Sequence, residues 1–254
     1  MKYAIVTGTS KGLGASIAKL LIQAGIHVIG IARNDNKELN RLAVQSGVTY
    51  RHEACDLSQV NEVEQLFTSL ANQLFANGDA KLVYLINNAA VVGPIDTAGN
   101  HDAKELADHV HINLLAPMIS MNVFLEYAVK KDIPLIIANV TSGAANRSQY
   151  GWSAYSSSKA GLDRFTKTTA LEQVELQTRN KAILFNPSIM DSQMQQEIRS
   201  TNEAAFQDVE KFRKYKENNS LRDTDVVAGA LVQVLLDTDK IESGKNYNVN
   251  ELLS

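Results

Sequence analysis

The chain has 254 residues, 44% hydrophobic and 21% charged, with a formal net charge of -3. That size and composition suit one large α/β domain, and the charge gives no reason to expect nucleic acid or an anionic membrane as partner. The single cysteine, Cys55, excludes an intrachain disulfide and a cysteine-based zinc cluster and suits a reducing compartment.

Short β-branched apolar runs predict strands at 3–7, 27–32, 49–54, 82–87, 135–140 and 182–186, with a short last one at 246–249. Helical periodicity between them predicts helices at 12–24, 36–46, 59–76, 102–130, 152–178 and 223–237, the fourth broken near Pro117. Such alternation argues for one doubly wound α/β domain, its seven strands parallel and covered on both faces. The first strand starts beside Met1 and no apolar run approaches the length needed to span a bilayer, so the expectation is a cytoplasmic protein with no targeting segment.

Between the first strand and first helix lies Thr7-Gly8-Thr-Ser10-Lys11-Gly12-Leu13-Gly14. Glycines in this place permit a tight turn and close approach of a pyrophosphate, which the helix N-terminus attracts. The spacing, Gly-x-x-x-Gly-x-Gly, differs from the common dinucleotide fingerprint. The second strand ends Ala32-Arg33, where an NAD site places a carboxylate on the ribose hydroxyl. Two cations, Lys11 and Arg33, and no carboxylate suit a 2′-phosphate, and hence NADPH/NADP+.

Further along, His109 and His111 are two residues apart on a helix, so they face different sides and make a poor metal pair. Tyr155 and Lys159, four apart, share one helix face, and Ser142 lies thirteen residues before the tyrosine. A phenol becomes a useful acid–base group when a cation stabilises its anion, and a serine hydroxyl beside it can hold a carbonyl or alcohol oxygen. Tyr127 and Lys131 repeat the spacing, but Leu114 occupies the position where a serine would be needed. From 188 to 220 there is neither Gly nor Pro, and Met194, Ile198, Phe206, Val209 and Phe212 recur at helical intervals. This predicts a short helical lid over a substrate pocket.

Taken in order, Thr7-Gly8-x-x-x-Gly12-x-Gly14, Asp56-Leu57, Asn87-Asn88-Ala89-Ala90, Asn113, Ser142 and Tyr155-x-x-x-Lys159 resemble the short-chain dehydrogenase/reductase family over nearly the whole chain. The resemblance implies a Rossmann domain with Ser142, Tyr155, Lys159 and Asn113 catalytic. Tyr155 would donate the proton, Lys159 would hold the ribose and depress the tyrosine pKa, and Asn113 would kink its helix and hold a relay water. Gly8, Ser10, Lys11, Gly12, Leu13, Gly14, Arg33, Asp56, Leu57, Asn88, Ala89, Ala90, Tyr155, Lys159, Pro187, Ile189 and Ser192 would bind the cofactor, with Asp56 on the adenine. Two positions depart from the family pattern, Ala90 and Ser188, where glycines are usual.

Three segments, His111-Ile-Asn-Leu-Leu-Ala-Pro-Met118, Tyr150-Gly-Trp-Ser-Ala-Tyr155 and Asp191-Ser-Gln-Met-Gln195, resemble the sepiapterin-reductase-like branch and most of all its bacterial benzil reductases. That similarity implies NADPH-dependent reduction of one carbonyl of an aromatic 1,2-diketone, of the benzil to (S)-benzoin type. Val91, Trp152, Met190 and Phe206 are the expected pocket walls. The alternatives are reduction of a 3-oxoacyl thioester and a non-catalytic NADP(H)-sensing module. Family resemblance further implies a homodimer or homotetramer.

Overall fold

The computed structural model describes residues 1–76 and 78–254. Seven strands form one sheet: β1 (Lys2–Thr7), β2 (His27–Ala32), β3 (Tyr50–Ala54), β4 (Leu82–Asn87), β5 (Leu135–Val140), β6 (Lys181–Asn186) and β7 (Asn246–Asn248). Their order is β3-β2-β1-β4-β5-β6-β7 and every pairing is parallel. Long crossovers are therefore required, and helices supply them.

On one face pack α1 (Gly12–Gln23), α2 (Lys37–Gln45) and α9 (Thr224–Leu236), against Ala4, Val6, Tyr84, Ile86 and Ile136. The other face, with Ile5, Val83, Leu85 and Ile137, receives α3 (Val60–Ala76) and α5 (Ala116–Lys131), with Ala170 of α6 (Ser153–Glu175) joining that core. Val83 and Leu85 point one way and Tyr84 and Ile86 the other, the period-two alternation of a strand buried on both sides. That double burial is why the strands read as unbroken apolar runs.

α5 does not begin at a break. α4 (Ala103–Val110) passes through a π-helical turn, His111–Leu115, directly into α5. Pro117 lies just beyond that turn inside the continuous helix, where it has no N–H to give and crowds the preceding turn, and the helix widens instead of stopping. The continuous stretch Ala103–Lys131 is, contrary to expectation, long and apolar enough to cross a membrane by length and composition. Here it serves as a core helix, with Met121 and Phe124 fully buried against the sheet.

The stretch after β6 forms α7 (Gln193–Ser200) and α8 (Val209–Glu217), and the chain ends with the short α10 (Val249–Leu252). Ile198, Phe206, Val209 and Phe212 pack on Val92, Ala144, Trp152 and Tyr155 as a third apolar cluster. The helical pair thus covers the ends of the central strands.

Candidate active site

Beyond the carboxyl ends of β1, β4, β5 and β6 lies a cleft of about 620 Å³, where an open parallel sheet places its ligand. One end is the turn after β1. Gly8 has φ 80, and a Cβ on it would come within 2.8 Å of Asn88 Nδ2. Gly14 sits so close to the Gly8 carbonyl that a Cβ would lie 2.2 Å from it, so this glycine lets the turn close and does not itself line the cleft. Lys11, the N-cap of α1, makes no side-chain capping bond. The first N–H groups of α1 are therefore available to an anion. Lys11 and Arg33 are exposed on the rim of the same cleft.

Thr7 ties the first and fourth strands together: its hydroxyl oxygen accepts from Asn88 N and Ala89 N, each 3.0 Å, and its carbonyl accepts from Asn88 Nδ2 at 2.9 Å. Asp56 and Leu57 line the adjoining wall. The Ser58 N–H, 3.0 Å from Asp56 Oδ1, holds that carboxyl below its usual range, with Arg33 helping. Behind them Asn87 Nδ2 donates to Asn139 Oδ1 (2.9 Å), and Asn139 Nδ2 donates to Thr166 Oγ1 (2.7 Å), a buried polar chain through β4, β5 and α6. Ala90 is not among the residues in the left-handed region, so its methyl carries no backbone strain. Ser188 does adopt that region, with φ 55, held by its N–H on Asn186 Oδ1 (3.0 Å).

At the other end Ser142, Tyr155 and Lys159 line one cleft. Ser142 follows β5, and its hydroxyl oxygen accepts from Ala144 N at 3.2 Å, which leaves its proton free to donate. The Tyr155 hydroxyl lies 3.9 Å from Met194 Sδ. Burial raises the Tyr155 pKa and Ser142 partly offsets this. The expected depression by Lys159 is not seen: its ammonium, 6.0 Å from the tyrosine ring centroid, donates to the Val140 carbonyl at 2.8 Å. Burial brings Lys159 down to about 8, against the opposing pull of Asp163.

Asn113 stands in the π turn, behind the cleft wall. His109, 1% exposed, places Nδ1 2.5 Å from Gly93 O, Nε2 2.9 Å from Ser158 Oγ and 3.1 Å from Asn113 Nδ2. A carbonyl only accepts, so Nδ1 carries the proton and Nε2 accepts from the Asn113 amide. Burial keeps this imidazole below its ordinary pKa. His111 turns elsewhere, to Ser58 O at 3.0 Å.

Most of the expected residues come together: Ser10, Gly12, Leu13, Asn88, Ala89, Val91, Trp152, Pro187, Ile189, Met190 and Ser192 also line the cleft. Phe206 does not. It is fully buried and stacked on Trp152 at 4.8 Å and 14°, so it supports the wall from behind. Met194 and Ile198 of α7 and Phe212 of α8, expected in the lid, line the cleft, and Tyr215 of α8 and Arg147 join them unanticipated. The four-residue spacing of Met194 and Ile198 places both on one face of α7, and Tyr215, three residues after Phe212, shares its side of α8 in the same way.

A family model described as short chain dehydrogenase matches residues 2–203. A benzil reductase ((S)-benzoin forming) from Bacillus cereus is 34% identical over 251 residues, covering 99% of this chain and all of that protein. One of the same name from Bacillus subtilis (strain 168) is 36% identical and is covered, like this chain, in full. A crystal structure of a short chain dehydrogenase/reductase from Saccharomyces cerevisiae superposes with a TM-score of 0.81 at 28% identity, covering 98% of this chain and 96% of that one.

Proposed function

The chain belongs to the short-chain dehydrogenase/reductase family, a family that uses NAD(P)(H), and on that footing we propose that it is an NADPH-dependent reductase of aromatic ketones, with a 1,2-diketone such as benzil as the model substrate. The observation that carries the reading is one cleft that holds Ser142, Tyr155 and Lys159 beside a wall of Trp152, Met190, Met194 and Phe212. That apolar wall suits a bulky aromatic ketone, and the Bacillus relatives are named for that chemistry.

The glycine turn fits a dinucleotide, since close backbone packing and uncapped N–H groups meet at the start of α1. When bound, the nicotinamide supplies hydride to the carbonyl carbon. Lys11 and Arg33 support a 2′-phosphate by charge-assisted hydrogen bonds, Asp56 the adenine, and Ser192 and Ile189 the carboxamide side. Ser142 donates to the substrate oxygen and fixes it beside Tyr155. Burial keeps the phenol protonated at neutral pH, the state a proton donor needs in reduction, and Tyr155 passes that proton to the oxygen. Lys159 holds positive charge near the phenolate left behind. The pair α7 and α8 acts as a lid, held by Phe206 behind Trp152.

We further propose a cytoplasmic homodimer or homotetramer: α6 leaves Leu171 and Val174 each 60% exposed, an apolar strip available to a second copy. The deciding experiment is NADPH oxidation with benzil, sepiapterin, simple ketones and acetoacetyl thioester. Turnover of benzil with inactive Tyr155→Phe is expected. Turnover of the thioester alone would replace the substrate reading, and unchanged turnover in Tyr155→Phe would overturn the mechanism.

A further inference from the structure

We propose that Asp163 is a positioning residue for the site: its carboxylate sustains the ammonium of Lys159 and, through Thr141, ties the end of β5 that presents Ser142 to the helix that presents Tyr155 and Lys159. The inference rests on the reductase reading above.

Asp163 lies four residues after Lys159 on α6, so the two side chains share a face one turn apart. It is 6% exposed, and Lys159 is 2% exposed. The Thr141 hydroxyl donates to Asp163 Oδ1, while Oδ2 has no hydrogen-bond partner among the described residues. Thr141 is itself anchored, with its N–H on Phe185 O of β6 at 2.9 Å. Three successive residues thus divide the work. The Val140 carbonyl accepts from the Lys159 ammonium, the Thr141 hydroxyl donates to Asp163, and Ser142 faces the cleft.

A buried carboxylate is costly unless an opposite charge answers it. The groups about this pair are few. Lys159 faces Tyr155 on its own helix and the neutral His109 from α4, and Asp163 is the charge that opposes its loss of a proton. The other cation acting on Asp163 is Lys167, exposed on the same helix. Without the Asp163 charge, desolvation of Lys159 acts unopposed. Its ammonium then disappears nearer neutrality, and the phenol of Tyr155 loses its cation.

Burial pushes the Asp163 carboxyl up, so its charged form weakens the fold as pH rises from the ordinary carboxylate value to the folded one. Asp163→Asn removes that burden and keeps an acceptor for Thr141, so it should fold. The expected result is a kcat near wild type at pH 6, with the alkaline fall of ketone reduction moved at least about one pH unit lower. Asp163→Glu, which restores the charge, returns the fall towards its wild-type position. Thr141→Val lowers kcat at every pH and leaves the fall where it was. A second readout needs no turnover: ¹³C NMR of ε-¹³C-lysine-labelled protein, with the Lys159 signal assigned by Lys159→Met. An unmoved Lys159 midpoint in Asp163→Asn overturns the proposal. A moved midpoint in a protein that reduces no ketone overturns the reductase reading and leaves the Asp163 assignment standing.

Discussion

Asn113 and Val91 bind each other in both directions: Asn113 Nδ2 donates to Val91 O at 2.7 Å, and Val91 N donates to Asn113 Oδ1 at 2.9 Å. The amide therefore acts as a two-point clip between the π turn and the loop after β4. Asn113→Ala leaves two backbone groups unpaired, at about 1–3 kcal/mol for each. The loop carrying Ala90 and Val91 should loosen, raising KM for both cofactor and ketone. Steady-state kinetics and thermal unfolding check this, and an unchanged Tm would refute the clip.

Tyr155→Phe keeps the ring and removes the proton. General acid catalysis contributes about 10²–10⁴-fold, so kcat should fall within that range while cofactor affinity stays intact. NADPH fluorescence titration beside turnover separates the two effects.

Lys159 titrates at about 8, and burial is the main cause. Reduction should accordingly lose rate as pH rises through about 8, with Tyr155 still protonated because its own pKa is raised. Stability runs the opposite way. The folded chain gives up this proton below the ordinary lysine value of 10.5, so between about 8 and 10.5 the unfolded chain binds more protons and this group's contribution to stability grows with pH. A kcat profile from pH 6 to 10 that stays flat would contradict the assignment.

Arg33→Ala should erode the preference for NADPH over NADH by about 10- to 100-fold, the equivalent of one charged hydrogen bond. Lys11→Ala should act in the same direction. The ratio of kcat/KM for the two cofactors is the measurement, and a ratio that rises counts against a 2′-phosphate site.

Ser188→Gly should raise stability by roughly 1 kcal/mol, since φ 55 is a left-handed conformation that a side chain disfavours. For a chain of this size that is a Tm gain of about 2–4 °C. Calorimetry decides, and a loss would mean that the contact from Asn250 Nδ2 to Ser188 Oγ, 3.4 Å, outweighs the strain.

The sheet was readable because its strands are buried on both faces: β2, β4 and β5 begin and end where their apolar runs do. The turn at Gly8 and the spacing of Ser142, Tyr155 and Lys159 are local patterns, so they too stand plainly in the chain. Pairings between distant segments do not. Nothing local says that Phe206 stacks behind Trp152 while Phe212 takes the cleft, since both share the apolar period of the same region. The histidine at 109 reads as an isolated side chain until folding brings Gly93 and Ser158 to its two nitrogens.

The π turn at His111–Leu115 has a consequence for how this chain tolerates change in length. Such a turn holds one residue more than an α turn, so it behaves as an insertion absorbed without a loop. Deleting one of its five residues would restore regular winding and leave α4 and α5 facing nearly as they do now, so what is lost is the wide turn itself. His109 would keep its approach to Gly93 and Ser158, while Asn113 would lose the wide turn that carries its amide to Val91. The extra residue of this turn therefore serves the loop after β4 and not the course of the helix, so a shortened chain would keep its fold and lose the clip.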